Sequence, residues 1–116
     1  MAQLYWNKCQ GDAWCSLLNV NLDHPHFDNM VGVYVIWHAG AAPATVYVGS
    51  GTIRDRLRAH RGDPRILRYR DQGLFVTWAA VSPPEGAEKY LSDRLRPLVG
   101  ERFPAAVHPT EVNTPW

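Results

Sequence analysis

Tyr34, Tyr47, Arg56, His60 and Glu88 form a set able to handle water and phosphate. Tyr34 falls in the run Val31 to His38 and Tyr47 in Thr45 to Gly49. Both runs are rich in β-branched and aromatic residues, and Ala39-Gly40-Ala41-Ala42-Pro43 breaks them apart. They read as an antiparallel hairpin. Alternate side chains of a strand share a face. If His38 pairs with Thr45, the two phenols project to the same face; one step out of register puts them on opposite faces. Two phenols on one face can hold or deprotonate a water. A tyrosine base needs a lowered pKa, which a nearby cation or metal-bound water would supply. Half-buried tyrosines are also ordinary strand formers. The glycines beside them, Gly32 and Gly49, favour a site, because they let backbone or substrate approach closely.

Arg56 follows Ile53 by three residues and adjoins Leu57, at the edge of a buried helical stripe. A planar guanidinium there can reach over the sheet to a phosphate. Arg54, Arg58 and Arg61 point more outward and read as nucleic-acid backbone contacts or as a solvated face. His60, one turn beyond Arg56, can orient a phosphate, protonate a leaving group or hydrogen-bond a tyrosine. Glu85 has two structural tasks open to it, a capping box with Ser82 and a pair with Lys89. Glu88 lies beside a stripe of Ala87, Leu91, Leu95 and Leu98, and one carboxylate with several waters is an ordinary Mg²⁺ arrangement.

These residues need a scaffold. Thr52 can cap a helix over Ile53 to Arg61, which Gly62 stops. Asp63-Pro64 can start a second helix ending near Gly73. Leu74 to Val81 reads as a third strand. Ser82-Pro83-Pro84-Glu85 opens a last helix that ends near Pro97. The expected order is strand, strand, helix, helix, strand, helix. That is an α+β fold with a small three-stranded, largely antiparallel sheet flanked by helices. Residues 1–30 read as an extension packed on the core, in which Ser16 to Leu22 is a short strand or a helical turn. Residues 31–103 form the domain proper, and 104–116 an irregular tail with Trp116 on the core.

The pair Gly32-Val33-Tyr34 and Tyr47-Val48-Gly49 resembles the two motifs of the GIY-YIG nuclease family. Arg56, Leu57 and His60 match that family's Arg-Leu-x-x-His signature, and Glu88 precedes Pro97 by nine residues, the family's spacing for its metal-binding Glu and following Pro. The resemblance covers residues 31–103. It implies metal-dependent hydrolysis of a phosphodiester. Glu88 would hold Mg²⁺ (or Mn²⁺), Tyr34 helped by Tyr47 would activate water, and Arg56 would stabilise the phosphoryl charge. Three departures stand out. Tyr47 to Arg56 is one residue short, which Gly51 can absorb. Ser50 replaces a frequent Lys. Gly100 replaces a frequent Asn, for which Asn113 is a candidate substitute.

The 116 residues suit one domain, and the net charge of +1 names no partner by itself. Arginines nevertheless crowd the segment from Arg54 to Arg70, while Asp12, Asp23, Asp28, Glu101 and Glu111 lie towards the ends. Such a basic segment suits a nucleic acid, DNA before RNA, bound with little sequence preference. A partner protein would supply targeting. No leader or membrane-length apolar run is visible, so the expectation is a cytoplasmic chain with reduced thiols and no membrane partner. Cys9, Cys15, His24 and His26 fit no common zinc spacing and read as two buried cysteines and two loop histidines. Two other functions fit the same residues. One is a nucleic-acid-binding module that does not cut. The other is a protein-interaction domain with Trp37, Trp78 and Trp116 exposed and Glu88 facing bulk solvent.

Overall fold

In the computed structural model, which describes residues 2–100 and 108–116, the sheet has four strands and not three. They are β1 (Cys15–Ser16), β2 (Val31–His38), β3 (Ala44–Thr52) and β4 (Leu74–Ala80), in the order β1-β4-β2-β3 and all antiparallel. The added strand comes from the N-terminal extension. Cys15 pairs with Val76 and Ser16 with Phe75, so the ambiguous segment resolves into two strand residues followed by a turn. Two residues carry too little periodicity to be legible in a sequence.

Three helices flank the sheet: α1 (Ile53–His60), α2 (Pro64–Leu67) and α3 (Glu85–Leu95). Neighbouring residues of β2 point to opposite faces, and each face has its own core. Tyr34, Ile36, Tyr47, Val76 and Trp78 pack with Ile53 and Leu57 of α1. Val33, Val35, Val48 and Ala79 pack with Ala87 and Leu91 of α3. The molecule is thus layered helix, sheet, helix, with β3 at the edge between α1 and α3.

The hairpin register departs from expectation at its loop end. His38 pairs with Ala44 and Trp37 with Thr45, whereas Ile36 pairs with Tyr47. Val46 is the extra residue of a β-bulge. The bulge restores the register that puts Tyr34 and Tyr47 on one face. Gly32 has a packing reason: a Cβ there would overlap the Ala79 carbonyl of β4.

Helix starts and stops differ in detail. Asp63 caps α2 by accepting from the Arg65 N–H, as its type suggests, but α2 ends at Leu67 and a separate 3₁₀ turn covers Arg70–Gln72. Thr52 occupies the N-cap of α1 without a side-chain bond. The Ser82–Glu85 capping box does not form. Pro84 is the N-cap of α3, and Ser82 lies outside the helix, joined to Pro83 by a cis peptide. Leu98 is not on the buried stripe either; it lies beyond the helix and is 53% exposed.

The N-terminal extension is integral to the core, burying Trp6, Cys15, Leu17, Leu22 and Phe27. Cys9 and Cys15 form a disulfide, which replaces the expected reduced thiols; Cys9 is exposed and only Cys15 is buried. Ala2 bridges Val112 in parallel. Asn113 clamps Leu4 through both its amide groups, and its carbonyl accepts from the Trp6 indole. The boundary expected at Phe103, with Glu101 and Pro104, lies outside the described residues. No helix among those described is long and apolar enough to cross a membrane.

Candidate functional site

Edge strand β3 turns into α1 at Gly51, whose φ of 129° favours glycine. This compact turn carries the short spacing from Tyr47 to Arg56. Beside it opens a cleft of about 1040 Å³. Tyr47, Gly49 and Ser50 line it from β3, Arg56 from α1, and Glu88, Lys89, Ser92 and Asp93 from α3. Helices on opposite faces of the sheet therefore send an arginine and a carboxylate around the same edge.

Tyr34 and Tyr47 do come together, with rings stacked 6.1 Å apart and 16° from parallel. Only Tyr47 reaches the cleft. Tyr34 is fully buried behind it, and a Cβ at residue 49 would overlap its hydroxyl. Gly49 is therefore required by the Tyr34 phenol. His60 is buried as well, its Nε2 lying 2.5 Å from the Tyr34 hydroxyl.

Burial outweighs the nearby cation in setting the Tyr34 pKa. Desolvation raises it well above the usual phenol value, and the hydrogen bond and charge of Arg56 only partly offset that. The lowered pKa expected of a tyrosine base is therefore not found. His60 shifts the other way, down to about 4, first by burial and then by repulsion from Arg56. At neutral pH a protonated phenol thus donates to a neutral imidazole. The hydrogen bonds from its guanidinium to Tyr34 and Tyr47 hold Arg56 firmly cationic.

Arg54, Arg58 and Arg61 lie on the other face of α1, turned to the N-terminal extension. Arg54 donates to the carbonyls of Leu22 and His24 and pairs with Asp28 at 2.7 Å. Arg58 pairs with Asp23 at 2.5 Å. Arg61 donates to the carbonyls of Leu17 and Val20. Asn113 is engaged with Leu4 and Trp6 and does not line the cleft, so it does not stand in for the asparagine that Gly100 replaces; Gly100 itself is on the cleft wall.

Sequence reasoning missed Arg96 and Asp93, which share the cleft. Arg96 caps α3 in the left-handed region at φ 49°, unusual outside glycine. The signal was present in Pro97, which disfavours helical backbone in the residue before it. Asp93 pairs with Lys89 at 3.1 Å.

No group of three His, Cys, Asp or Glu able to hold a metal occurs among the described residues. The cleft offers the carboxylate of Glu88, while that of Asp93 is engaged by Lys89. That donor set fits an ion which keeps most of its waters and takes one or two carboxylates, as Mg²⁺ does, and does not fit a dedicated zinc cage.

No protein-family model, curated protein or solved structure matches the chain.

Proposed function

We propose that this chain is a metal-dependent nuclease of GIY-YIG type that hydrolyses nucleic-acid phosphodiesters, DNA before RNA, with little sequence preference of its own. One observation carries the reading: Arg56 and Glu88, from helices on opposite faces of the sheet, line one cleft beside the Tyr47 phenol. Glu88 would hold a Mg²⁺ or Mn²⁺ ion, which when bound supplies charge to the phosphate and acidifies water. Arg56 offers a fixed guanidinium to the phosphoryl oxygens. Tyr47 is the phenol able to orient the attacking water.

Tyr34 and His60 are positioning residues in this reading. They fix the guanidinium from behind. The neutral imidazole accepts the Tyr34 hydrogen bond and so fixes where the buried hydroxyl points.

Arg54, Arg58 and Arg61 enter this function by holding α1 in place, and substrate phosphates would meet Arg56 and Arg96. Such a small cationic footprint implies weak, salt-sensitive binding and leaves room for a targeting partner. A cytoplasmic location sits less easily with the Cys9–Cys15 disulfide, since such bonds persist mainly in oxidising compartments. The protein-interaction reading asks for Trp37, Trp78 and Trp116 exposed and Glu88 facing solvent; Trp116 is exposed, Trp37 and Glu88 are half-buried and Trp78 is buried.

The test is a panel of labelled DNA and RNA structures incubated with Mg²⁺ or Mn²⁺. Wild type is expected to cut, and Arg56→Ala or Glu88→Ala to cut at least about a hundred-fold more slowly. Cleavage surviving both substitutions overturns the site. Binding without cleavage under either metal favours a non-cutting module.

A further inference from the structure

Beyond the cleft, the α3 side of the sheet ends at the β2–β3 hairpin in a cluster of three tryptophans. Trp14 and Trp37 meet at 5.2 Å and 88°, Trp37 and Trp116 at 4.9 Å and 67°, and Trp14 and Trp116 at 6.3 Å and 85°. The three planes stand steeply to one another. With Pro43, Ala44 and Thr45 they line a hollow of about 340 Å³. Trp116 stays 57% exposed at the rim, so one indole face is open to a ligand.

Position and charge together say what would fill it. Leu98, on the wall of the cleft, donates its N–H to the carbonyl of Thr45, on the wall of the hollow. The two concavities therefore adjoin across one backbone hydrogen bond. From Thr45 to the cleft residues Tyr47 and Ser50 is about 7 to 17 Å along β3, a few nucleotides' length. No acidic residue lines the hollow among the described residues. Lys8 lies over Trp14, 4.5 Å from its ring centre and paired with Asp12, but lines a separate hollow, so the cations beside this one are Arg56 and Arg96 of the adjoining cleft. Indoles in the hollow and guanidinium groups in the adjoining cleft match the two halves of a nucleotide, base and phosphate.

The geometry points to a nucleobase site: the hollow of Trp14, Trp37 and Trp116 takes an unpaired base of the strand whose phosphate occupies the cleft. This rests on the nuclease reading and narrows its substrate class to nucleic acid with a single-stranded stretch beside the cut, such as an overhang or flap. A paired base within a duplex is stacked between its neighbours and has no free face to offer.

Binding is measured on the Glu88→Ala protein, so that cleavage does not enter, by fluorescence anisotropy with a labelled oligothymidylate and with a blunt hairpin duplex. The oligothymidylate is expected to bind more tightly. Adding Trp116→Ala should reduce the single-strand to duplex affinity ratio about ten-fold, as loss of one base–aromatic stack would. Trp116→Phe should restore most of it, which a loss of folding would not allow. An unchanged ratio in Trp116→Ala overturns the inference, and wild-type cutting of duplex would then leave the nuclease reading standing. A ratio that falls as expected while wild type cuts nothing sinks the nuclease reading and keeps the base site. Quenching of tryptophan fluorescence by a proline-rich peptide or by tetramethylammonium, but not by oligothymidylate, also overturns it.

Discussion

The two faces of α1 use one side-chain type in opposite ways. Arg54, Arg58 and Arg61 follow one another at helical spacing, and all three turn to the chain's own carbonyls and carboxylates between Leu17 and Asp28. Arg56, on the other side, lies against two phenols and an open cleft. A run of basic residues is therefore not an electrostatic footprint until its partners are known. The acids that seemed remote in the sequence, Asp23 and Asp28, fold back onto this run and neutralise Arg58 and Arg54. What remains for a polyanion is Arg56 at the sheet edge, with the exposed Arg68 and Arg70 beyond α2.

Substitutions can sharpen or break that contrast. Arg56→Ala is expected to have the largest effect, a loss of cleavage of about a hundred- to a thousand-fold with little change in unfolding midpoint. Arg61→Ala should do the reverse. It frees the carbonyls of Leu17 and Val20 and should cost about 1.5–3 kcal/mol, read by urea unfolding. Gly49→Ala should strike both properties at once. The new methyl overlaps the Tyr34 hydroxyl, and overpacking of this kind costs about 1–3 kcal/mol while pushing the phenol off His60 and Arg56.

The pH response follows from the buried pair. The His60 imidazole titrates at about 4 in the fold and near 6.5 when unfolded. Stability from its neutral state is complete above 6.5 and is lost as pH falls towards 4, because the unfolded chain takes the proton first. Cleavage should keep its acid limb near 4 as well, where His60 ceases to accept from Tyr34. An acid limb at 6.5 would show that the imidazole is not shielded. Arg58→Ala should have the smallest effect, below about 1 kcal/mol, since its pair with Asp23 is exposed on both sides.

Much of this was legible in the residues. Runs rich in β-branched and aromatic residues marked β2, β3 and β4, and Thr52 and Gly62 marked the limits of α1. The common face of Tyr34 and Tyr47 was legible only conditionally, because a bulge at Val46 is not written in residue types. Burial of Tyr34 was hidden for a related reason. A strand pattern states which side chains share a face and not which lies deeper, and depth set by α1 and His60 reversed the expected direction of its pKa. Strand β1, the Arg-to-carbonyl clasps and the disulfide depend on contacts between distant segments, and local spacing carries no record of them.

The contrast between the faces of α1 reduces to one paired measurement: cleavage rate and urea unfolding for Arg56→Ala beside Arg61→Ala. Arg56→Ala should lose cleavage and keep its stability, while Arg61→Ala should lose stability and, while folded, cut at close to the wild-type rate. Equal loss of cleavage in both proteins at unchanged stability would contradict the division, and would place the substrate across the face of α1 that holds the N-terminal extension.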